Sequence, residues 1–136
     1  MREINYIVIH CTATHQAATV DSIKKYWTKV KGWKSPGYHF IIDQFGKATQ
    51  LANEDQVTNG VAGYNLKSIH ISYIGGIDKD CKPVDTRNLA QIETMKKIVC
   101  ELKLRYPDAK ILGHRDFSGV KKACPSFDVS EWLKTF

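Results

Sequence analysis

Short β-branched apolar runs alternate along the chain with amphipathic stretches of helical spacing. The first run, INYIVIHC, is apolar at nearly every position, the pattern of a strand buried on both faces of a central sheet. After a polar loop, TVDSIKKYWTKVKGW sets Val20, Ile23, Tyr26, Trp27 and Val30 at helical spacing, with Thr19 or Asp21 as N-cap and Gly32 as the stop. GYHFIID and KATQLA flank QFG and read as two strands joined by a tight turn. SIHISYIGG is a further strand closed by two glycines. Between Asn88 and Tyr106 lies the strongest helix, whose apolar stripe is Leu89, Ile92, Met95, Val99, Leu102 and Tyr106 and which Pro107 ends. Cys100 is expected to be buried on that helix. AKILGH is a short strand ending on His114, and VSEWLKTF a last short helix. The alternation predicts an α/β fold, a central mixed β-sheet flanked by helices, as a single domain over residues 1–136.

A chain of 136 residues supports one core, and 43% hydrophobic with 25% charged residues is the balance of a soluble globular protein. No apolar run approaches the ~20 residues of a membrane-spanning helix, so no membrane insertion is expected. The N-terminus enters a strand pattern directly, without the features of a signal peptide. The expected location is therefore cytoplasmic, until another system releases the chain or delivers it to the cell wall. A net charge of +6 would draw the surface to polyanions: nucleic acid, anionic lipid or an acidic cell wall. The basic residues are dispersed and no nucleic-acid motif accompanies them, which favours a solvated basic surface over a specific nucleic-acid site. The four cysteines, Cys11, Cys81, Cys100 and Cys124, form no CxxC pair and do not suggest a disulfide scaffold.

Two strand ends carry histidines, His10 and His114, and Cys124 follows His114 within one loop. Two histidines and one cysteine are the ligand set of an open catalytic zinc site, with water in the fourth position. Lys122 would favour a thiolate or any anion nearby. Spacing alone leaves other roles open: a strand-end histidine is ordinarily a hydrogen-bonded structural residue, and a lone cysteine is ordinarily buried filler. His70, inside an apolar strand, reads as a satisfied core residue, and Asp116 either orients an imidazole or caps a turn.

The segments IVIHCTAT, GYHFII, GYN, SIHISYIGG, GHRDF and KACPSFDV, in that order from Ile7 to Val129, resemble the zinc-dependent N-acetylmuramoyl-L-alanine amidases. This is the type 2 amidase family, which includes phage lysozyme-amidases and peptidoglycan recognition proteins. The resemblance implies one zinc ion held by His10, His114 and Cys124, with Tyr38 and Lys122 as catalytic groups. It implies cleavage of the amide between the lactyl group of N-acetylmuramic acid and L-alanine in peptidoglycan. Tyr38 would hydrogen-bond the oxyanion formed when a zinc-activated water attacks that carbonyl, with Lys122 adding positive charge. Asn65, Tyr64 and Trp33 lie beside matched motifs and are expected to line a groove for sugar or stem peptide. Peptidoglycan is the expected partner, and the protein a monomer.

One position departs from the family. Many relatives carry a histidine a few residues before Gly-x-Asn, where this chain has Gly60; His15 and His39 are the candidates to compensate. Three rival readings remain at this level. A cysteine hydrolase would use Cys124 as nucleophile and His114 as base. A non-catalytic module would bind peptidoglycan without cutting it. A nucleic-acid binder would lose affinity steeply with salt.

Overall fold

A computed structural model describes residues 2–136. Its centre is a five-stranded sheet of β1 (Tyr6–Cys11), β2 (Phe40–Ile42), β3 (Ala48–Gln50), β4 (Ser68–Tyr73) and β5 (Lys110–Gly113), in the order β3-β2-β4-β1-β5. β1 runs parallel to both β4 and β5, β2 runs parallel to β4, and the short β2–β3 hairpin supplies the antiparallel edge. The sheet is therefore mixed, and it carries α1 (Val20–Lys25), α2 (Leu89–Arg105) and α3 (Val129–Leu133).

The central strands are apolar because both faces are covered, but the two faces differ in what they cover. Ile7, Ile9 and Cys11 of β1 and Ile69, Ile71 and Tyr73 of β4 join Met95, Ile98, Val99 and Leu102 of α2 in the largest core cluster. The alternate positions, Val8 and His10 of β1 and His70 and Ser72 of β4, point to the other face. There Val8 packs with Val61 and Phe117, while Ile23 and Trp27 pack on Ile41 and Ile74 towards the β2 edge. Polar side chains thus sit at fixed parity within strands that read as largely apolar.

Thr19 caps α1 through a reciprocal bond pair with Ser22, and Asn88 caps α2 in the same way with Gln91. The first helical stretch is an α-turn that widens into a π-helical segment, Tyr26–Val30, which buries Trp27 and leaves Tyr26 and Val30 exposed. Two expectations for α2 are corrected. The buried face is Gln91, Met95, Ile98, Val99 and Leu102. At 100° per residue, Leu89 and Cys100 both fall roughly 150° from the centre of that face, and both are exposed. Gln91 takes the core position because its amide is fully paired, donating to Ile74 O at 3.1 Å and accepting from Gln16 Nε2 at 3.0 Å. Among the described residues, no helix is long and apolar enough to cross a membrane.

Candidate metal centre and cleft

β1 and β5 are adjacent parallel strands, paired up to Ile9 and Gly113. The next residue of each is a histidine, so His10 and His114 emerge side by side at the C-terminal ends of neighbouring strands, with ring centroids 4.9 Å apart. His10 is within β1, and His114 opens a short 3-10 turn, His114–Asp116. Asp116 caps that turn by accepting from Gly113 N–H at 2.8 Å.

Cys124 is brought back to this point by the loop after the turn. Its carbonyl accepts from Arg115 N–H at 2.9 Å, and its sulfur accepts from Cys11 N–H at 3.2 Å. The peptide to Pro125 is cis. Gly113 allows the close approach, since a Cβ there would lie 2.9 Å from Pro125 Cδ. Beyond it, Tyr73 donates its hydroxyl to Pro125 O at 2.6 Å and Ser126 donates to Gly76 O at 3.0 Å.

The outcome is one cluster: a ring nitrogen from each histidine and Cys124 Sγ all lie within 4.8 Å of one another. Cys124 Sγ is 3.8 Å from His10 Nδ1. Burial, then the neighbouring imidazoles and Lys122, hold His10 well below the ordinary histidine range. Burial and then Lys122 bring His114 down to about 4. Both rings are therefore neutral at physiological pH, the form that ligates a metal. The hydrogen bond with Cys11, followed by burial, pushes the Cys124 thiol well up. A free nucleophilic thiol is ordinarily displaced the other way. The donor set, two neutral imidazoles and one sulfur without a carboxylate, fits a zinc ion with one position left open.

The cluster lies against a cleft of about 1180 Å³ that Tyr38, Trp33, Tyr64 and Lys122 also line. Tyr38 rests beside His10, ring centroids 5.0 Å apart, and donates its hydroxyl to Cys11 O at 3.3 Å. Burial raises its pKa, so the hydroxyl keeps its proton. Lys122 stands exposed on the rim with Lys121 and Lys31. Trp33 stacks on Trp27, and Tyr64 packs on Phe117. Asn65 is placed differently: it does not line the cleft, and its Oδ1 accepts from Val61 N–H and meets His70 Nε2. His15 is exposed, while His39 is buried behind β4 with Nδ1 accepting from His70 N–H. Neither of these two histidines reaches the cleft wall.

A family model for N-acetylmuramoyl-L-alanine amidase matches residues 1–127. The chain belongs to the N-acetylmuramoyl-L-alanine amidase family. Curated relatives of this amidase family include an endolysin of Klebsiella phage KP32, 36% identical over 132 residues that cover 96% of this chain and 86% of that one. An endolysin of Escherichia phage T7 is 34% identical over 127 residues, covering 93% of this chain and 83% of that one. The fold is also that of the Ph2119 endolysin from a Thermus scotoductus MAT2119 bacteriophage. That structure superposes with a TM-score of 0.85 at 21% identity, over 98% of this chain and 85% of that one.

The residue that sequence reasoning undervalued is His70. The structure puts it in contact with His10, at 2.8 Å between His10 Nε2 and His70 Nδ1. The signal was present once the register is known: β1 and β4 pair Val8 with His70, which places His70 on the face that carries His10.

Proposed function

We propose that this chain is a zinc-dependent N-acetylmuramoyl-L-alanine amidase, cutting the bond between N-acetylmuramic acid and the L-alanine of the stem peptide. The observation that carries the reading is the convergence of His10, His114 and Cys124 within 4.8 Å beside a cleft that also holds Tyr38 and Lys122. Those three residues would hold one ion, and the Cys124 proton would leave on binding. When bound, zinc supplies Lewis acidity and an activated water at neutral pH.

The chain's own groups do the rest. The Tyr38 hydroxyl, kept protonated by burial, turns from its long bond with Cys11 O to the oxyanion of the tetrahedral intermediate. Lys122 sets a positive charge on the rim, next to the developing negative charge. The leaving L-alanine nitrogen takes its proton from Tyr38 or Lys122, directly or through water. Trp33 and Tyr64 offer aromatic faces on the cleft wall to the sugar and the stem peptide. The endolysin names of the relatives support a lytic role, with the chain as a monomeric single domain acting on the wall after release from the cytoplasm.

Digestion of purified peptidoglycan with and without a zinc chelator tests this, with products read by mass spectrometry. Stem peptides with a free L-alanine amine, lost on chelation and restored by zinc, are expected. Cleavage that survives chelation would turn the assignment to a Cys124 nucleophile, and binding without cleavage would make the chain a recognition module.

A further inference from the structure

His70 is fully buried in the middle of β4, on the face of the sheet that carries His10. Three hydrogen bonds link it outward from the candidate metal centre to the backbone. His10 Nε2 meets His70 Nδ1 at 2.8 Å, His70 Nε2 meets Asn65 Oδ1 at 2.9 Å, and Asn65 Oδ1 accepts from Val61 N–H at 2.8 Å.

The proton positions follow from the backbone end. A peptide N–H can only donate, so Asn65 turns its amide oxygen, not its nitrogen, towards Val61 and His70. An amide oxygen can only accept, so His70 Nε2 carries a hydrogen. A neutral imidazole carries one hydrogen, and with His70 Nε2 donating to Asn65 Oδ1 the nitrogen that faces His10, Nδ1, is the bare lone pair. His10 must then donate from Nε2, which leaves the lone pair on Nδ1. That nitrogen is the one 3.8 Å from Cys124 Sγ.

We propose that His70, backed by Asn65, is a positioning residue that locks His10 in its Nε2–H tautomer and presents Nδ1 to the metal. The metal half of this statement rests on the zinc reading above; the tautomer half does not.

Gly60 gives an independent mark of the same arrangement. A Cβ on Gly60 would lie 2.3 Å from His70 Nδ1 and 2.4 Å from Cε1 and Cγ. Gly60 is not among the glycines at positive φ, so the neighbouring ring, not the backbone, demands glycine there. The imidazole of β4 fills the space a side chain at position 60 would take, and residues 60 and 70 are coupled through it.

The test uses His70→Phe, which keeps a ring and removes both nitrogens, and His70→Asn, which keeps an acceptor near Nδ1. Gly60→Ala is made in the wild type and in His70→Ala. In the metal-free protein, long-range nitrogen–proton NMR of His10 should show the Nε2–H tautomer, replaced by a mixture in His70→Phe. By chelator competition, His70→Phe should weaken zinc binding about 10- to 100-fold, and His70→Asn should recover most of that loss. Gly60→Ala should weaken zinc binding in the wild type and leave it unchanged in His70→Ala, where the ring is gone. An Nδ1–H tautomer in the wild type, or a zinc dissociation constant for His70→Phe within twofold of wild type, overturns the proposal. A wild type that binds no zinc, yet keeps a His70-dependent Nε2–H tautomer, would sink the zinc reading and leave the positioning role standing.

Discussion

Tyr73 ends β4 with its ring fully buried and its hydroxyl donated to Pro125 O at 2.6 Å. Pro125 follows Cys124, so this bond ties the cysteine-bearing loop to the sheet. Tyr73→Phe keeps the ring and leaves the buried Pro125 carbonyl without its donor. The loss is governed by that orphaned acceptor more than by the bond's own strength, and comes to about 1–3 kcal/mol, or roughly 4 °C in Tm per kcal/mol. Ionisation adds a second signature. Burial, followed by the charges of Cys11 and Asp85, raises the Tyr73 pKa above its ordinary value near 10. The folded chain therefore keeps a proton that the unfolded chain releases, so this contribution is complete below pH 10 and is lost as pH rises beyond it. At pH 11 the wild type should lose about 1.4 kcal/mol through this group, and the phenylalanine variant nothing. Urea denaturation of both proteins at pH 8 and pH 11 reads the two effects separately. A gap under about 0.3 kcal/mol at pH 8, well below the orphaned-acceptor cost, would refute the hydrogen bond. A gap that stays constant to pH 11 would refute the buried, protonated hydroxyl.

Tyr38→Phe should lower kcat on peptidoglycan by about 10²- to 10³-fold, the effect of removing one oxyanion donor, with zinc content by elemental analysis unchanged; loss of zinc instead would move Tyr38 from chemistry to architecture. Gly46→Ala should cost about 2 kcal/mol in thermal denaturation, because Gly46 has φ +81° and a Cβ there would meet Ala90 O at 2.8 Å. Arg2→Ala removes donors to the carbonyls of Glu54, Asn65, Leu66 and Ser68, and should cost about 2–3 kcal/mol. Because Asn65 and Leu66 lie in the 3-10 turn Asn65–Lys67 and Ser68 follows it, the same variant should also weaken zinc binding in the competition assay. Unchanged zinc affinity would confine Arg2 to stability.

Local pattern was enough for much of the fold. The β-branched runs became β1 and β4, the residues around QFG became the β2–β3 hairpin, and Asn88 and Pro107 bracketed α2, because each signal is complete within a few residues. The errors came where the local pattern is degenerate. Leu89 and Cys100 are apolar, but helix phase turns them outward, while Gln91 goes inward because Gln16 and Ile74 satisfy its amide. The widening of the first helix at Tyr26 has no marker in its composition.

The site was legible in a different sense. His10, His114 and Cys124 could be named from residue type and motif order, yet their convergence depends on β1 and β5 being parallel neighbours, which no window of sequence contains. His70 shows the point most sharply. In SIHISYIGG it looks like a polar interruption of a buried strand, and a satisfied core residue is a fair description of its bonding. Only the pairing of Val8 with His70 reveals that it shares a face with His10, one diagonal step away. Parity within a strand can be read from a sequence, but register between strands cannot. Residues that touch a candidate site residue across that register, as His70 touches His10, or that back such a contact, as Asn65 backs His70, are therefore the last to be found.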